Sequence, residues 1–163
     1  MLIATKNTMF REGIGSILRQ DPSLRIVGEA STLEEVVNKA DRLRPHVVLL
    51  DAVLTDGDTL EAIRHIRTSH KRIGILVLNV SGRLQSTEQV LDAGASAYIS
   101  PETHIEQLMD LIHATSADMR DLRKPRRPLV GSSEARNESI SSTANLPKHS
   151  HETTLHTREG RNG

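Results

Sequence analysis

A single apolar run constrains the fold of this chain more than any other segment. Residues 47–51 read Val-Val-Leu-Leu-Asp, with Pro45 shortly before them and Gly57 shortly after. A strand with one face in water alternates apolar and polar residues, so four successive apolar residues predict a strand buried on both faces. Such strands belong to parallel sheets covered by helices, where functional side chains lie just beyond the carboxyl ends of the strands. The run therefore predicts an α/β domain with Asp51 at the rim of its sheet.

Strands and helices are predicted to alternate through the first part of the chain. The other strands are expected at about residues 2–4, 25–28, 73–78 and 97–100, and amphipathic helices at about 10–18, 33–40, 59–69, 85–93 and 104–117. The fourth helix is predicted to stop at Gly94 in a left-handed conformation. This alternation implies right-handed crossovers and a five-stranded, doubly wound parallel sheet of order 2-1-3-4-5, with helices on both faces. In that order the first and third strands are neighbours. We therefore expect Thr5 and Lys6 to lie close to Asp51.

The composition divides the chain into a domain and a tail. Leu, Ile, Val and Ala are dense through about residue 117, whereas polar residues dominate from Arg120 onward. We predict one domain over residues 1–117, a disordered linker over 118–154, and at 155–163 either a tail or the start of a second domain. The basic run at 120–127 is expected to be a solvated part of that linker.

Charge and residue usage argue against several classes of protein. Lys plus Arg and Asp plus Glu both number 21, so the net charge does not indicate a nucleic-acid partner. The chain has no cysteine and no apolar run that approaches a membrane span, which favours a cytoplasmic protein. The histidines are scattered and do not predict a metal site. No base–nucleophile pair is visible, so we predict that the chain is not an enzyme.

Four segments resemble, in order and spacing, the receiver domain of NarL/FixJ (LuxR-type) bacterial response regulators. They are Phe10-Arg11-Glu12-Gly13, Ile26-Val27-Gly28-Glu29-Ala30, Arg44-Pro45-His46-Val47-Val48-Leu49-Leu50-Asp51 and Gly94-Ala95-Ser96-Ala97-Tyr98. The resemblance implies a CheY-like fold, Asp51 as phosphoacceptor, a histidine kinase as phosphoryl donor, and a helix-turn-helix domain beyond a linker. It also implies a Mg²⁺ ion held by Asp51 and an acidic pair after strand one, which neutralises the charge of the phosphoryl group.

The residues around Asp51 depart from the pattern of this family. The family's acidic pair after strand one is replaced by Thr5 and Lys6. Its Ser or Thr after strand four is replaced by Asn79. Its Lys after strand five is replaced by Pro101, or by Ser100 if one residue is deleted. The switch aromatic is retained as Tyr98. A hard divalent cation needs several oxygen ligands, and beyond Asp51 only Asp56 and Asp58 are candidates, so we predict no bound cofactor.

Lys6 suggests a substitute for the missing metal. Two unit charges about 4 Å apart attract by roughly 4 kcal/mol at an effective dielectric constant near 20, before desolvation is counted. We therefore expect the Lys6 ammonium to pair with Asp51. The plainer alternatives are that Lys6 extends to solvent and that Asp51 only caps the turn that follows its strand.

The leading functional hypothesis is an atypical receiver of a transcription regulator that works without phosphorylation, by docking to a protein or by dimerisation. The expected interface is helix four, strand five and helix five, with Leu84, Leu91, Tyr98 and Leu108. Two alternatives stay open. One is a conventional phosphorelay receiver that uses Asp51, and the other is a ligand-sensing receiver with a polar pocket formed by Lys6, Asn79 and Asp51.

The last residues also resemble the family. Leu155-His156-Thr157-Arg158-Glu159 is similar to the start of its DNA-binding domain, and only residues 160–163 follow. We therefore expect the helix-turn-helix domain to be truncated or missing, and this chain alone not to read DNA.

Overall fold

The computed structural model describes residues 1–54, 57–80, 86–121 and 129–131. Its elements are, in chain order, β1 (Leu2–Ala4), α1 (Thr8–Leu18), β2 (Gly28–Ala30), α2 (Leu33–Leu43), β3 (Val47–Asp51), α3 (Thr59–Ser69), β4 (Gly74–Leu78), α4 (Thr87–Asp92), β5 (Ala97–Ile99), α5 (Ile105–Arg120) and β6 (Leu129–Gly131). The strands form one parallel sheet of order β2-β1-β3-β4-β5-β6. The predicted doubly wound fold and the order of its first five strands are confirmed.

One strand is an addition to the predicted sheet. β6 pairs in parallel with β5, and it lies within residues 118–154, the segment predicted to be a disordered linker. Three residues without a flanking pattern carry too little signal to predict a strand. The rest of that segment after residue 121, and the predicted tail at 155–163, lie outside the described residues.

The strands bury alternate residues on the two faces of the sheet. Val48 and Leu50 face a core that α2, α3 and α4 cover, whereas Val47 and Leu49 face a core that α1 and α5 cover. All five residues of β3 are buried. Because successive side chains of a strand point to opposite faces, a central strand covered by helices on both sides needs an apolar residue at every position.

Local chemistry sets the ends of the helices. Thr32 caps α2 by accepting a hydrogen bond from the Glu35 backbone, and Asp58 caps α3 in the same way through the Leu60 backbone. Gly94, predicted as a left-handed stop after the fourth helix, has a φ of 109°. No helix in the described ranges is long and apolar enough to cross a membrane.

Several predicted boundaries are displaced. The second strand was expected at 25–28 and lies at Gly28–Ala30. The ends of this strand are set by its backbone pairing with β1, whereas the prediction followed its apolar residues. Helix α4 begins at Thr87, and Gln85, its predicted start, lies outside the described residues. Helix α5 continues to Arg120, three residues past the predicted end at 117.

Helix α5 packs directly on the first residue of β4. A Cβ atom built on Gly74 would lie 2.2 Å from Cγ2 of Thr115, far inside van der Waals contact. We expect Gly74→Ala to lower the free energy of unfolding by about 1–3 kcal/mol, since the helix must move or the side chains must strain. Urea denaturation would measure this loss.

Thr115→Ala provides the matched control, because it removes the methyl group that causes the clash. The double variant Gly74→Ala/Thr115→Ala should be close in stability to Thr115→Ala alone. Strictly additive losses would show that the two residues do not limit the packing of α5.

Candidate functional site

Asp51 ends β3 as a nearly buried carboxylate, with 5% of the residue exposed. Its Oδ2 accepts a hydrogen bond from the Thr5 hydroxyl at 2.8 Å, and its Oδ1 accepts one from the Val53 backbone N–H at 3.2 Å. Both carboxylate oxygens therefore have protein donors. A buried charge needs such partners, because the alternative is an unsolvated anion.

The register of the sheet places Thr5 beside Asp51. Ile3 pairs with Leu49, so the residues two positions further along each strand are neighbours on the same face. The Thr5 N–H donates to the Ala30 carbonyl, which continues the β1–β2 ladder by one residue. The Thr5 hydroxyl also accepts a hydrogen bond from the Asn7 N–H at 3.2 Å, which leaves its own proton to point at Asp51.

The expected ion pair between Lys6 and Asp51 is absent. Lys6 is exposed, and within the described residues no ion pair joins it to Asp51. Lys6 lies after the end of β1, where the chain bends before α1, and its side chain is exposed while that of Thr5 is hydrogen-bonded to Asp51. A neutral hydroxyl also satisfies the carboxylate without the desolvation of a second charge. The plainer alternative for Lys6, extension to solvent, is what the structure shows.

Arg11 supports this site from α1, a role that the sequence does not reveal. One guanidinium nitrogen donates to the Thr5 carbonyl at 2.6 Å, and Nε forms an ion pair with Glu29 at 3.1 Å. The Arg11 side chain is mostly buried. It therefore joins α1, the end of β1 and β2 at the residue that holds Asp51. Its place in the Phe10-Arg11-Glu12-Gly13 segment was the only available signal.

Asn79 follows Leu78, the residue of β4 that pairs with Asp51, and Pro101 lies beyond the end of β5. They line a cleft between α1, α5 and the ends of β4 and β5, whose lining includes neither Asp51 nor Thr5 nor Lys6. This cleft is therefore different from the polar pocket expected from Lys6, Asn79 and Asp51. Pro101 is exposed, and no lysine occupies its position.

The expected docking residues do not form an exposed surface. Tyr98 and Leu108 are buried in the two cores on opposite faces of the sheet, and Leu91 packs against one of them. Leu84 lies outside the described residues. An apolar residue in an amphipathic element can be core or contact surface, and here the packing of α4 and α5 assigns these three to the core.

The donors around Asp51 do not match the needs of Mg²⁺. Magnesium takes six oxygen ligands in near-octahedral geometry, and Asp51 offers one carboxylate whose two oxygens already accept hydrogen bonds. Asp58 is exposed and caps α3 through Leu60, while Asp56 lies outside the described residues. In the described ranges no group of three or more His, Asp or Glu residues could hold a metal ion.

A doubly wound parallel sheet of this order, with an aspartate at the end of its third strand, is the arrangement of a response-regulator receiver. The family model of the response regulator receiver domain matches residues 1–113. The chain therefore belongs to the response regulator receiver family.

The most similar proteins compared include LuxR-type regulators. The chain is 30% identical over 116 residues to the response regulator protein VraR of Staphylococcus aureus, covering 71% of this chain and 56% of VraR. A two-component response regulator of the LuxR family from an Aurantimonas species is 25% identical, with a TM-score of 0.65 over 72% of this chain and 84% of that chain. The isolated REC domain of RcsB from Salmonella enterica has 22% identity and a TM-score of 0.65 over 83% of this chain and 94% of that chain. The chain thus spans little more than half the length of VraR, and the resemblance to LuxR-type receivers is confirmed.

The hydrogen bond from Thr5 gives a direct test of this site. We expect Thr5→Val to lower the free energy of unfolding by about 1–3 kcal/mol, because it leaves Oδ2 of a buried carboxylate without its donor. Thr5→Ser keeps the hydroxyl and should lose less. Chemical denaturation of both variants would measure the difference.

Asp51→Asn separates the role of the charge from the loss of packing. If the carboxylate causes the cost, Thr5→Val should be less harmful in the Asp51→Asn background than in the native chain. Equal losses in both backgrounds would contradict the assignment of the Thr5 hydroxyl as the partner of the charge.

Proposed function

We propose that this chain is an atypical receiver of a LuxR-type transcription regulator, which works by association with a protein and without phosphorylation of Asp51. The observation that carries the proposal is the hydrogen bond from the Thr5 hydroxyl to Asp51 at 2.8 Å. It comes from a position where the resemblance implies an acid that holds Mg²⁺.

Phosphoryl transfer to a carboxylate has two requirements, and the residues around Asp51 meet them poorly. An oxygen of the carboxylate must attack in line, and cations must neutralise the charge of the phosphoryl group. Here one oxygen is held by a hydroxyl and the other by a backbone N–H, which stabilises the ground state of the nucleophile. Lys6, the cation next to Thr5 in the sequence, is exposed. We therefore propose that the receiver uses neither magnesium nor another cofactor.

Exposed apolar residues on α1 and α5 favour association through these helices. Met9 is 81% exposed and Ile17 is 40% exposed, and with the exposed Gly13 between them they repeat every four residues along one side of α1. Ile105, at the start of α5, is 38% exposed. We propose that a second copy of the chain covers this surface, with α5 common to this interface and to the one expected from the sequence.

The rest of the proposed role concerns the larger protein. VraR and the LuxR-family neighbours are response regulators, so we propose that a DNA-binding domain in the full regulator acts on transcription, in the cytoplasm of a bacterium. A histidine kinase remains the partner for the alternative reading, in which Asp51 is a conventional phosphoacceptor.

Incubation with acetyl phosphate and Mg²⁺ tests the absence of phosphorylation. We expect the intact mass of the native chain to stay unchanged, because Asp51 is hydrogen-bonded and poorly provided with ligands for the ion. Addition of one phosphoryl group that Asp51→Asn abolishes would refute the proposal.

Restoring the acidic pair provides the positive control for magnesium. The variant Thr5→Asp/Lys6→Asp restores the family's acidic pair, and its carboxylate at position 5 lies beside Asp51 and repels it until a cation joins them. Millimolar Mg²⁺ should therefore raise the melting temperature of this variant and leave that of the native chain unchanged.

Self-association can be tested with a pair of matched substitutions. Ile17 and Val27 are both 40% exposed, but Val27 lies in the loop before β2 and outside the proposed interface. We expect Ile17→Lys to raise the dimer dissociation constant at least about tenfold, which is ~1.4 kcal/mol, while Val27→Lys leaves it unchanged. Sedimentation equilibrium would measure both constants. A native chain that stays monomeric, or equal effects of the two substitutions, would contradict the interface.

A further inference from the structure

We propose that a pocket at the amino edge of the sheet binds a small phosphate monoester, and that Arg25, Arg44 and Arg120 hold its phosphate group. This basic pocket lies at the edge opposite Asp51, because residues before the first three strands line it together with the ends of α2 and α5. Its lining contains neither the residues around Asp51 nor the exposed apolar residues of the proposed interface. The inference therefore does not rest on the proposed function.

The basic pocket combines apolar walls with exposed cations. Its volume is about 310 Å³. This lies at the lower end of the roughly 300–1,000 Å³ that is typical of small-molecule sites. Buried Val47 and Ile112 belong to its lining, with the partly buried Leu24 and Leu43, whereas its three arginines are exposed. An apolar wall strengthens the attraction between an arginine and an anion, because it displaces water that would screen the two charges.

The three arginines have no acidic partner. Within the described residues none of them forms an ion pair or a side-chain hydrogen bond, and the lining of the pocket contains no Asp or Glu. Asp21 lies close by in the sequence, but its carboxylate already accepts hydrogen bonds from Ser23 and lies 2.8 Å from His113 Nε2. These contacts, those of Ser23 first, lower the pKa of Asp21. The positive charge of the pocket is therefore not neutralised by a neighbouring carboxylate.

The helix ends at this edge account for only part of that charge. Helices α2 and α5 both end at the pocket, and a helix C-terminus carries about half a negative charge. Two helix ends thus offset about one of the three positive charges. The Met1 amino group donates to the Arg25 carbonyl, and its pKa is lowered first by burial and then by the Arg25 guanidinium. The charge of Arg25 therefore acts inside the pocket, and a surplus of positive charge remains for an anion.

A phosphate monoester matches both the charge and the walls. It carries about two negative charges near neutral pH, which complement the surplus, whereas a carboxylate brings one. Guanidinium groups bind phosphate oxygens through pairs of parallel hydrogen bonds, with a geometry that lysine does not provide. The organic part of the ester would contact the apolar side chains of Val47 and Ile112.

Phenyl phosphate is a suitable probe, with phenol as the compound that lacks the charge and inorganic phosphate as the one that lacks the apolar group. Each would be titrated into the full chain at about 150 mM salt, which screens weak attraction to the surface. Backbone amide shifts would be followed by NMR. We expect phenyl phosphate to cause saturable shifts at Val27, His46 and Ser116, and the other two compounds to bind at least about tenfold more weakly. No saturable shift with phenyl phosphate, or equal affinity for either control compound, would overturn the inference.

Arg44→Gln and Arg42→Gln form a matched pair of substitutions. Both arginines are exposed and lie at the end of α2, and in the described ranges neither forms an ion pair, but only Arg44 lines the pocket. We expect Arg44→Gln to weaken binding of phenyl phosphate at least about tenfold and Arg42→Gln to weaken it less than about twofold. Equal weakening would show a diffuse attraction to surface charge and would overturn the site.

Arg44→Gly separates binding from folding. Arg44 has a φ of 44°, a left-handed conformation that glycine adopts without strain. We therefore expect this variant to melt no lower than the native chain and still to lose phenyl phosphate at least about tenfold. Arg120→Gln, on a different helix, should weaken binding by a similar factor. Undiminished binding in either variant would overturn the shared role of these arginines.

Discussion

The parallel pairing of β1 with β3 is the constraint on which the rest of this receiver depends. Because Ile3 lies opposite Leu49, the residue that follows β1 in the same orientation must lie next to Asp51. That residue is Thr5, and its hydroxyl completes the hydrogen bonding of the carboxylate. Lys6, the next residue, is exposed. The aspartate, for which the resemblance implies a metal site, is thus held here by neutral donors.

The two faces of the sheet differ in their packing and in their exposed residues. The face covered by α2, α3 and α4 is packed with aliphatic residues and holds Tyr98 in its core. The face covered by α1 and α5 has a second core, the cleft beside Asn79 and, on the outside of the two helices, exposed apolar residues. The features that suggest function therefore lie on one side of the sheet and at its carboxyl and amino edges.

The sequence predicts most of the fold, because the strongest signals are local. The buried run at 47–51 fixes the central strand, the helix from Thr59 to Ser69 has the predicted bounds, and Gly94 has the predicted left-handed conformation. The site is less predictable. The direction of Lys6 depends on how β1 ends against β3, and the hydrogen bonds of Arg11 join residues far apart in the chain. Such contacts are set by tertiary packing, and the periodicity of apolar residues in the sequence does not predict them.

The same limit applies to the residues that were expected at an interface. Tyr98 and Leu108 have the chemistry of either a core or a contact surface, and only the packing of α4 and α5 decides between the two. Asn79 was identified from the sequence as a departure from the family pattern. Its side-chain oxygen has no hydrogen-bond partner among the described residues, and the sequence could not show this, because a missing partner is a property of the surroundings and not of the residue.

The position of Arg11 has a mechanical consequence. Its guanidinium joins the Thr5 carbonyl to Glu29, so α1 is tied to the strand end that holds Asp51. Helix α1 also carries Met9 and Ile17 on its outer side and Phe10 along the cleft. A tilt of this helix would pull on the Thr5 backbone, whose side chain holds the carboxylate. In this receiver, a partner that binds the outer surface of α1 would shift the residues around Asp51. A phosphoryl group on Asp51 would act in the opposite direction, from the carboxylate to the surface.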